Sequence, residues 1–436
     1  MAARREESRI MPPPPEQPEQ PIELRVEGIG AAGDGIAHWR GAPVYLPFTA
    51  AGDRVRALLG PRRGGGHEGR VVELVAAGAG REQAPCRHFG RCGGCALQHL
   101  DADAYRAAKL GALTAALERA GIDAKVVQPI RSVAPGRRRA RLGLVRPRDP
   151  RQPARVGFRE RFRHDLADLR ECLTLEPPLF ALVAALRGLV PNFIPPGGRA
   201  EATLTRTDSG VDLLVEAGWK PDLAALEALA ALAAERDLAR IVWRSAGNEL
   251  PVVERRPVRV MRSGIAVPFP PGAFLQASET AEAILIEEVL AAIGPRCPVI
   301  DLYAGLGCFA CAAAGAGSVH AVEGDERAAA ALAAAARGVP AFTVERRDLA
   351  HDPVGAETLA GFAAAILDPP RGGALRQAAA LAQSPLDTVV SVSCNPATFA
   401  RDAARLVAGG FRVERILPVD QFVWTPHLEL VGVFRR

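Results

Sequence analysis

The sequence predicts an α/β protein with a C-terminal Rossmann-like doubly wound sheet, an N-terminal OB-like β-barrel and a mixed α+β central domain. Three observations carry this. From about Ala277, apolar strand patterns (PVIDLY, SVHAVE, AFTVE, AAAILDPP, TVVSVSCNP) alternate with Ala-rich helical ones, the texture of a doubly wound sheet. Between Ile22 and Val75, five short alternating segments are punctuated by glycine, as in a small barrel. The chain of 436 residues, 48% hydrophobic and 24% charged, has the length for about three domains at roughly 150 residues each and the balance of a globular protein.

In chain order, residues 1–21 are charged and then proline-rich (Pro12–Pro15) and read as a disordered tail without a secretory signal. The barrel spans 22–78, and barrels of this size commonly grip nucleic acid. The central domain spans 79–270, with a helix over Asp103–Ala120 ending at Gly121 and another over Leu223–Arg236. The doubly wound domain spans 271–436. No apolar run reaches the roughly 18 residues of a membrane span, so a cytoplasmic protein without membrane contact is expected, and no obligate protein partner is evident.

Net charge is only +5, so local charge decides what polyanion the chain meets. Arg137 to Arg170 holds twelve arginines (137, 138, 139, 141, 146, 148, 151, 155, 159, 161, 163, 170) against four acids (Asp149, Glu160, Asp165, Asp168), a block suited to an RNA backbone. Only three of the 54 cationic residues are lysine (Lys109, Lys125, Lys220), so arginine abundance alone is compositional.

The strand over Val299–Leu302 runs into Asp301-Leu-Tyr303-Ala-Gly305-Leu-Gly307-Cys308. Glycines at such a bend admit a ligand to the backbone, and Glu323, closing the next strand, is placed to accept from a ribose diol. Position 310 is Ala, so the pyrophosphate fingerprint is incomplete. S-adenosylmethionine, which has no phosphates, fits better than a dinucleotide. Downstream, Asp368-Pro-Pro-Arg371 follows a buried strand, and its prolines hold the acid and the guanidinium rigidly. Cys394 falls between a strand end and a helix begun by Pro396, where the helix dipole is expected to lower its pKa and make it nucleophilic. Glu429, two residues past His427 and flanked by apolar residues, reads as a desolvated base with a raised pKa.

Asp301-x-Tyr303-x-Gly305-x-Gly307, Asp368-Pro-Pro-Arg371-x-Gly373, Ser393-Cys394-Asn395-Pro396-x-Thr398-x-x-Arg401-Asp402 and His427-x-Glu429 resemble, in order and spacing, the bacterial RNA (uracil-5-)-methyltransferases. The likeness covers nearly everything beyond Pro21, and the barrel looks like the TRAM domain of the 23S rRNA branch. The resemblance implies a class I methyltransferase fold, Cys394 as the nucleophile that adds to uracil C6, and Glu429 as the base that removes the C5 proton. It implies Gln276, Tyr303, Glu323 and Asp368 as S-adenosylmethionine contacts, alongside Asp301, Gly305 and Gly307 of the turn. The chain departs from common family patterns at Cys308 and Ser278.

Cys86-x5-Cys92-x2-Cys95, with Cys172 far downstream, is a four-thiol set for which metal binding is expected over disulfides. Zinc and iron–sulfur clusters both accept four cysteines; a close trio plus one distant cysteine favours the cluster, with His88 and His99 as spare ligands in the zinc version. The resemblance implies a [4Fe–4S] cluster. Cys297 has no assigned role, and Cys308 and Cys311 read as packing at a helix start. The function expected is thus 23S rRNA (uracil-5-)-methylation. The alternatives are the same chemistry on tRNA, an RNA cytosine-5 methyltransferase, disfavoured by Arg371 where those enzymes commonly have cysteine, or a non-catalytic RNA-binding iron–sulfur protein.

Overall fold

The computed structural model describes residues 20–161, 165–295 and 298–436, so most of the expected tail, Arg163 of the arginine block and Cys297 lie outside the described residues. The chain forms two compact units, one running to Glu82 with His99–Ala104, the other comprising Gln83–Gln98 and Tyr105–Arg436.

In the first unit the sheet has six strands rather than five, in the order Ile22–Arg25, Arg54–Arg63, Gly66–Ala76, Ala42–Leu46, Gly35–Trp39, Gly28–Ile29. The first and last are one bent segment. Val26 donates its amide to Asp53 O and Glu27 donates to Ile36 O, both at 2.8 Å, so the chain changes partner within two residues and joins the two edges of the sheet. Alternate residues point inward, packing Leu24, Val44, Leu46, Val55 and Ala57 together. Asp53 closes the structure from inside. Burial opposes its charge, but Arg81 and the amides of Gly78 and Ala50 outweigh that and hold its pKa below the ordinary value.

In the second unit, a seven-stranded sheet runs Leu166–Asp168, Arg155–Arg159, Arg139–Val145, Arg199–Thr207, Gly210–Glu216, Arg240–Ser245, Asn248–Glu254. Helices Pro177–Phe193 and Leu223–Glu235 bury its apolar residues around Trp243, whose Nε1 donates to Trp219 O at 2.9 Å. The arginine block is spread over this sheet and its surroundings, and it is not an open cationic strip. Arg141 pairs with Glu201 and Glu216, Arg159 with Glu201, Arg155 with Asp165, Arg170 with Asp168, and Arg138 with Glu282. Three of these carboxylates, Glu201, Glu216 and Glu282, lie outside the block. Counting acids within the block therefore understated its neutralisation.

The eight-stranded sheet that carries the candidate site has the order Phe342–Arg346, Val319–Glu323, Val299–Leu302, Ala364–Leu367, Thr388–Ser393, Glu429–Arg435, Arg412–Asp420, Arg131–Ser132. The first five are mutually parallel; Glu429–Arg435 is antiparallel to both of its neighbours. Apolar layers cover both faces. One includes Leu113 and Leu117 of the helix Ala102–Arg119, packed with Leu302 and Leu367. No helix among the described residues is long and apolar enough to cross a membrane.

Candidate active site

The topology gathers the chemistry at one edge. Parallel strands Val299–Leu302, Ala364–Leu367 and Thr388–Ser393 end where Tyr303, Asp368 and Cys394 begin. The antiparallel neighbour starts at Glu429 on that same edge, with Leu430 opposite Ser393. Ligands of open α/β sheets bind at these carboxyl ends.

At the first strand end, Tyr303, Gly305 and Gly307 all take positive φ (65°, 55° and 75°). For a tyrosine this conformation is strained, which marks the turn as built for a purpose. A Cβ on Gly307 would stand 2.5 Å from Leu332, whereas one on Gly305 would meet nothing within 4 Å, so the turn packs tightly on its helix side and is open at Gly305. Glu323 fixes the turn, accepting from Gly305 N at 2.7 Å and Asp325 N at 2.6 Å. Asp301 is fully buried, and neither carboxylate oxygen makes a well-formed hydrogen bond. The Ala310 amide gives only partial support. Burial, reinforced by Asp368 and Glu323, raises the Asp301 pKa well above its ordinary value. Asp368 is likewise raised, by burial and then by Glu323. Buried carboxyl groups whose ionised forms lack compensation fit a ligand that brings positive charge, which would favour those forms, and S-adenosylmethionine carries an ammonium and a sulfonium. Ser278 caps the helix Glu279–Ile293, accepting from Ala281 N at 3.4 Å, which accounts for its side chain locally.

The residues around Cys394 form a clamp. Asn395 caps the helix Pro396–Ala408, accepting from Ala397 N at 3.1 Å, and donates Nδ2 to Arg371 O at 3.0 Å. Thr398 donates to the same carbonyl, Arg401 donates to Gly372 O, and Asp402 accepts from Ala374 N at 2.6 Å. Gly373 has φ +74°, and a Cβ there would lie 2.5 Å from both Arg401 and Asp402. The spacing Asn-Pro-x-Thr-x-x-Arg-Asp is thus the set of donors and acceptors that seats the Asp368–Gly373 loop beside the thiol.

One expectation fails. The Cys394 thiol is pushed up to about 11, chiefly by burial and then by Glu429, with a lesser push from Asp368, against the opposing effect of Arg371. Helix-dipole stabilisation is small beside desolvation and two nearby carboxylates.

Glu429 is buried, with its pKa raised by burial and then by Asp368. Its Oε2 accepts from Gln421 Nε2 at 2.6 Å, and the same nitrogen donates to Gln276 Oε1 at 2.9 Å. His427 does not share a strand with Glu429, because the strand starts at Glu429 itself; its Nδ1 stands 3.4 Å from an Arg371 nitrogen. Burial, followed by Arg371, lowers its pKa to about 4, so it is neutral at physiological pH. The preceding loop hangs from Lys109, which is buried, pairs with Asp420 and donates to the carbonyls of Phe422 (3.1 Å) and His427 (2.9 Å). Tyr105 donates to Asp420 and accepts from Trp424 N, and the amides of Ala96 and Leu97 both donate to Trp424 O. Gln421, Lys109 and Tyr105 escape motif reading. The available signals are weak: Lys109 is one of three lysines, on a helix face otherwise lined by Leu113, Ala116 and Leu117.

Elsewhere in this unit, Cys86, Cys92, Cys95 and Cys172 line one small cavity together with Phe158, Leu169 and Thr174. All are free thiols. The amides of His88 and Gly94 donate to Cys86 and Cys92 at 3.4 Å, and Cys172 lies 3.3 Å from the Thr174 hydroxyl. Burial raises Cys92 to about 11 and Cys95 to about 12, with Arg137 acting in the opposite sense. Among the described residues, no group of three or more His, Cys, Asp or Glu side chains is arranged to hold a metal ion. Cys311 is buried and Cys308 partly buried in the core beside the cofactor turn, consistent with packing.

A family model described as tRNA (Uracil-5-)-methyltransferase matches residues 356–436. The chain is 37% identical over 417 residues, 95% of its length and 98% of the relative's, to an RNA methyltransferase of Brucella suis. It is 34% identical over 431 residues, 95% of this chain and 89% of the relative, to the 23S rRNA (uracil(1939)-C(5))-methyltransferase RlmD of Chromohalobacter salexigens. Its fold is similar to the crystal structure of Pyrococcus abyssi tRNA (uracil-54, C5)-methyltransferase in complex with S-adenosyl-L-homocysteine, with TM-score 0.71 and 23% identity over 94% of this chain and 99% of that one.

Thiol titration checks the electrostatics of the site. Cys394 in the free protein is expected to alkylate slowly with iodoacetamide at neutral pH and to speed up steadily as pH rises toward about 11. Peptide-resolved mass spectrometry reads the rate; rapid labelling of Cys394 at neutral pH would contradict the raised pKa.

Proposed function

The chain belongs to the S-adenosylmethionine-dependent RNA (uracil-5-)-methyltransferase family, and on that premise we propose that it forms 5-methyluridine in 23S rRNA, with Cys394 as nucleophile and Glu429 as base. The observation that carries this reading is the antiparallel start of Glu429–Arg435 beside the end of Thr388–Ser393, which sets a buried acid next to a thiol. Uracil C5 is a weak nucleophile. Cys394 gives its proton to solvent and adds as thiolate to C6, and the resulting enolate takes the methyl group from the sulfonium, releasing S-adenosylhomocysteine. Glu429 then removes the C5 proton, the C6–S bond breaks, and 5-methyluridine, the Cys394 thiolate and a protonated Glu429 are left. Asp301, Tyr303, Gly305, Gly307, Glu323, Asp368 and Gln276 are assigned to the methyl donor.

Asp368 is one of the groups holding the proton on Cys394, and a cation bound against it would weaken that contribution, while burial and Glu429 still oppose ionisation and Arg371 still favours it. The methyl donor thus relieves part of the raised thiol pKa. His427, neutral and beside Arg371, is suited to hydrogen bonding with the extruded base.

The choice of 23S rRNA over tRNA is supported by the similarity, over 95% of this chain, to a 23S rRNA enzyme. The barrel is assigned to RNA binding as a TRAM-like domain. Such a substrate makes the cytoplasm the site of action. Cys86, Cys92, Cys95 and Cys172 would hold a [4Fe–4S] cluster. Their shared cavity and the amide donors to Cys86 and Cys92 support this, and loading the group would draw the four sulfurs into a set that no three of them form as they stand. When bound, such a group ties residues 86–95 to Cys172 and contributes folding energy.

In cells relying on Cys394→Ala, 5-methyluridine mapped by mass spectrometry is expected to vanish from its 23S rRNA site and persist in tRNA, while the purified variant still binds RNA. Glu429→Gln is expected to accumulate a covalent RNA adduct; clean turnover by that variant would contradict the assigned base. Loss from tRNA instead would move the substrate. Protein purified without air is expected to be brown, absorbing at about 400 nm as thiolate-ligated iron does. Colourless protein holding zinc would overturn the cluster.

A further inference from the structure

Glu429 is reached by one side-chain donor among the described residues, the Gln421 amide. Gln421 is 2% exposed, and each end of its amide is committed. Its Oε1 accepts from Ala277 N at 3.2 Å, while Nε2 divides its two hydrogens between Glu429 Oε2 at 2.6 Å and Gln276 Oε1 at 2.9 Å. This pattern fixes the amide orientation, since a backbone N–H must meet oxygen and a carboxylate must meet nitrogen. Its backbone is held too, because the adjacent Asp420 is bound by Lys109 and Tyr105. A motif-matched cofactor residue, Gln276, and a motif-matched base, Glu429, are therefore joined through a residue that matches no motif.

We infer that Gln421 is a positioning residue for the elimination step, holding Glu429 in its carboxylate form and in line with the C5 proton while tying it to Gln276 on the cofactor side. The inference rests on the reading of Glu429 as the base. A donor to the charged form favours it, and losing that donor in a dry site leaves burial and Asp368 unopposed. The base then spends less time ionised at neutral pH, and addition and methyl transfer outrun elimination.

The test uses the full chain, labelled S-adenosylmethionine and in vitro transcribed 23S rRNA, followed under single-turnover conditions across a range of pH, with adduct and released product measured separately. Two near-isosteric variants, Gln421→Met and Gln421→Glu, remove the donor. In each, the rising limb of the elimination rate is expected to move to higher pH by about one unit or more, roughly a tenfold loss at neutral pH, with adduct building up. Gln421→Glu, which also brings a second carboxylate, is expected to move further. A limb that stays in place in either folded variant, or activity lost without adduct, would overturn the role of Gln421. Glu429→Gln run alongside separates the two readings: adduct there with unmoved Gln421 variants sinks only the positioning role, whereas clean turnover by Glu429→Gln sinks the base itself.

Discussion

Carboxyl groups buried at one sheet edge without full compensation for their ionised forms are the constraint around which the site is organised. Asp301, Asp368 and Glu429 are all held above their ordinary pKa by burial, and Asp301 has no well-formed hydrogen bond to relieve it. An isolated buried carboxylate costs roughly several kcal/mol even after relaxation, so such groups persist where function maintains them. Burial, with Glu429 and Asp368 nearby, likewise keeps the proton on Cys394. In the proposed reaction the methyl donor therefore brings compensating charge as well as carbon, and a thiol that stays protonated in the empty enzyme is protected from idle chemistry.

Holding these groups in place takes rigid support, and the fold supplies it from two directions. The helix Pro396–Ala408 grips the Asp368–Gly373 loop through Asn395, Thr398, Arg401 and Asp402. From the other side, Lys109 and Tyr105 fasten the loop between Asp420 and Glu429, and the peptide immediately after Cys95 binds Trp424 O. The segment leaving the cysteine cavity is thus hydrogen-bonded to the loop that delivers the base, a physical reason for the cysteine motif and the catalytic sheet to be folded as one unit.

The doubly wound sheet was legible because its strands are short, apolar and separated by Ala-rich helices, and the positions of Asp368 and Cys394 at strand ends because prolines follow each within two residues. Four things were not. The bend at Val26–Glu27, which makes six strand segments from a five-strand pattern, depends on which partners the chain meets at distance. The pairing of the arginines depends on Glu201, Glu216 and Glu282, remote in sequence and adjacent only in the fold. The pKa of Cys394 depends on burial and on acids from two other strands, whereas sequence reading saw only the local helix terminus. Gln421 was hidden for the same reason: a glutamine between aspartate and phenylalanine looks ordinary until its amide is seen joining Glu429 to Gln276.

The account stands on a transient bond between Cys394 and the pyrimidine. RNA carrying 5-fluorouridine at the target position, incubated with the protein and S-adenosylmethionine, should be methylated and then trapped, because fluorine at C5 cannot be removed as a proton is. The result the account predicts is a denaturation-resistant protein–RNA complex whose cross-linked peptide contains Cys394. The absence of any such complex with folded, cofactor-binding protein, or attachment through a different residue, would contradict it.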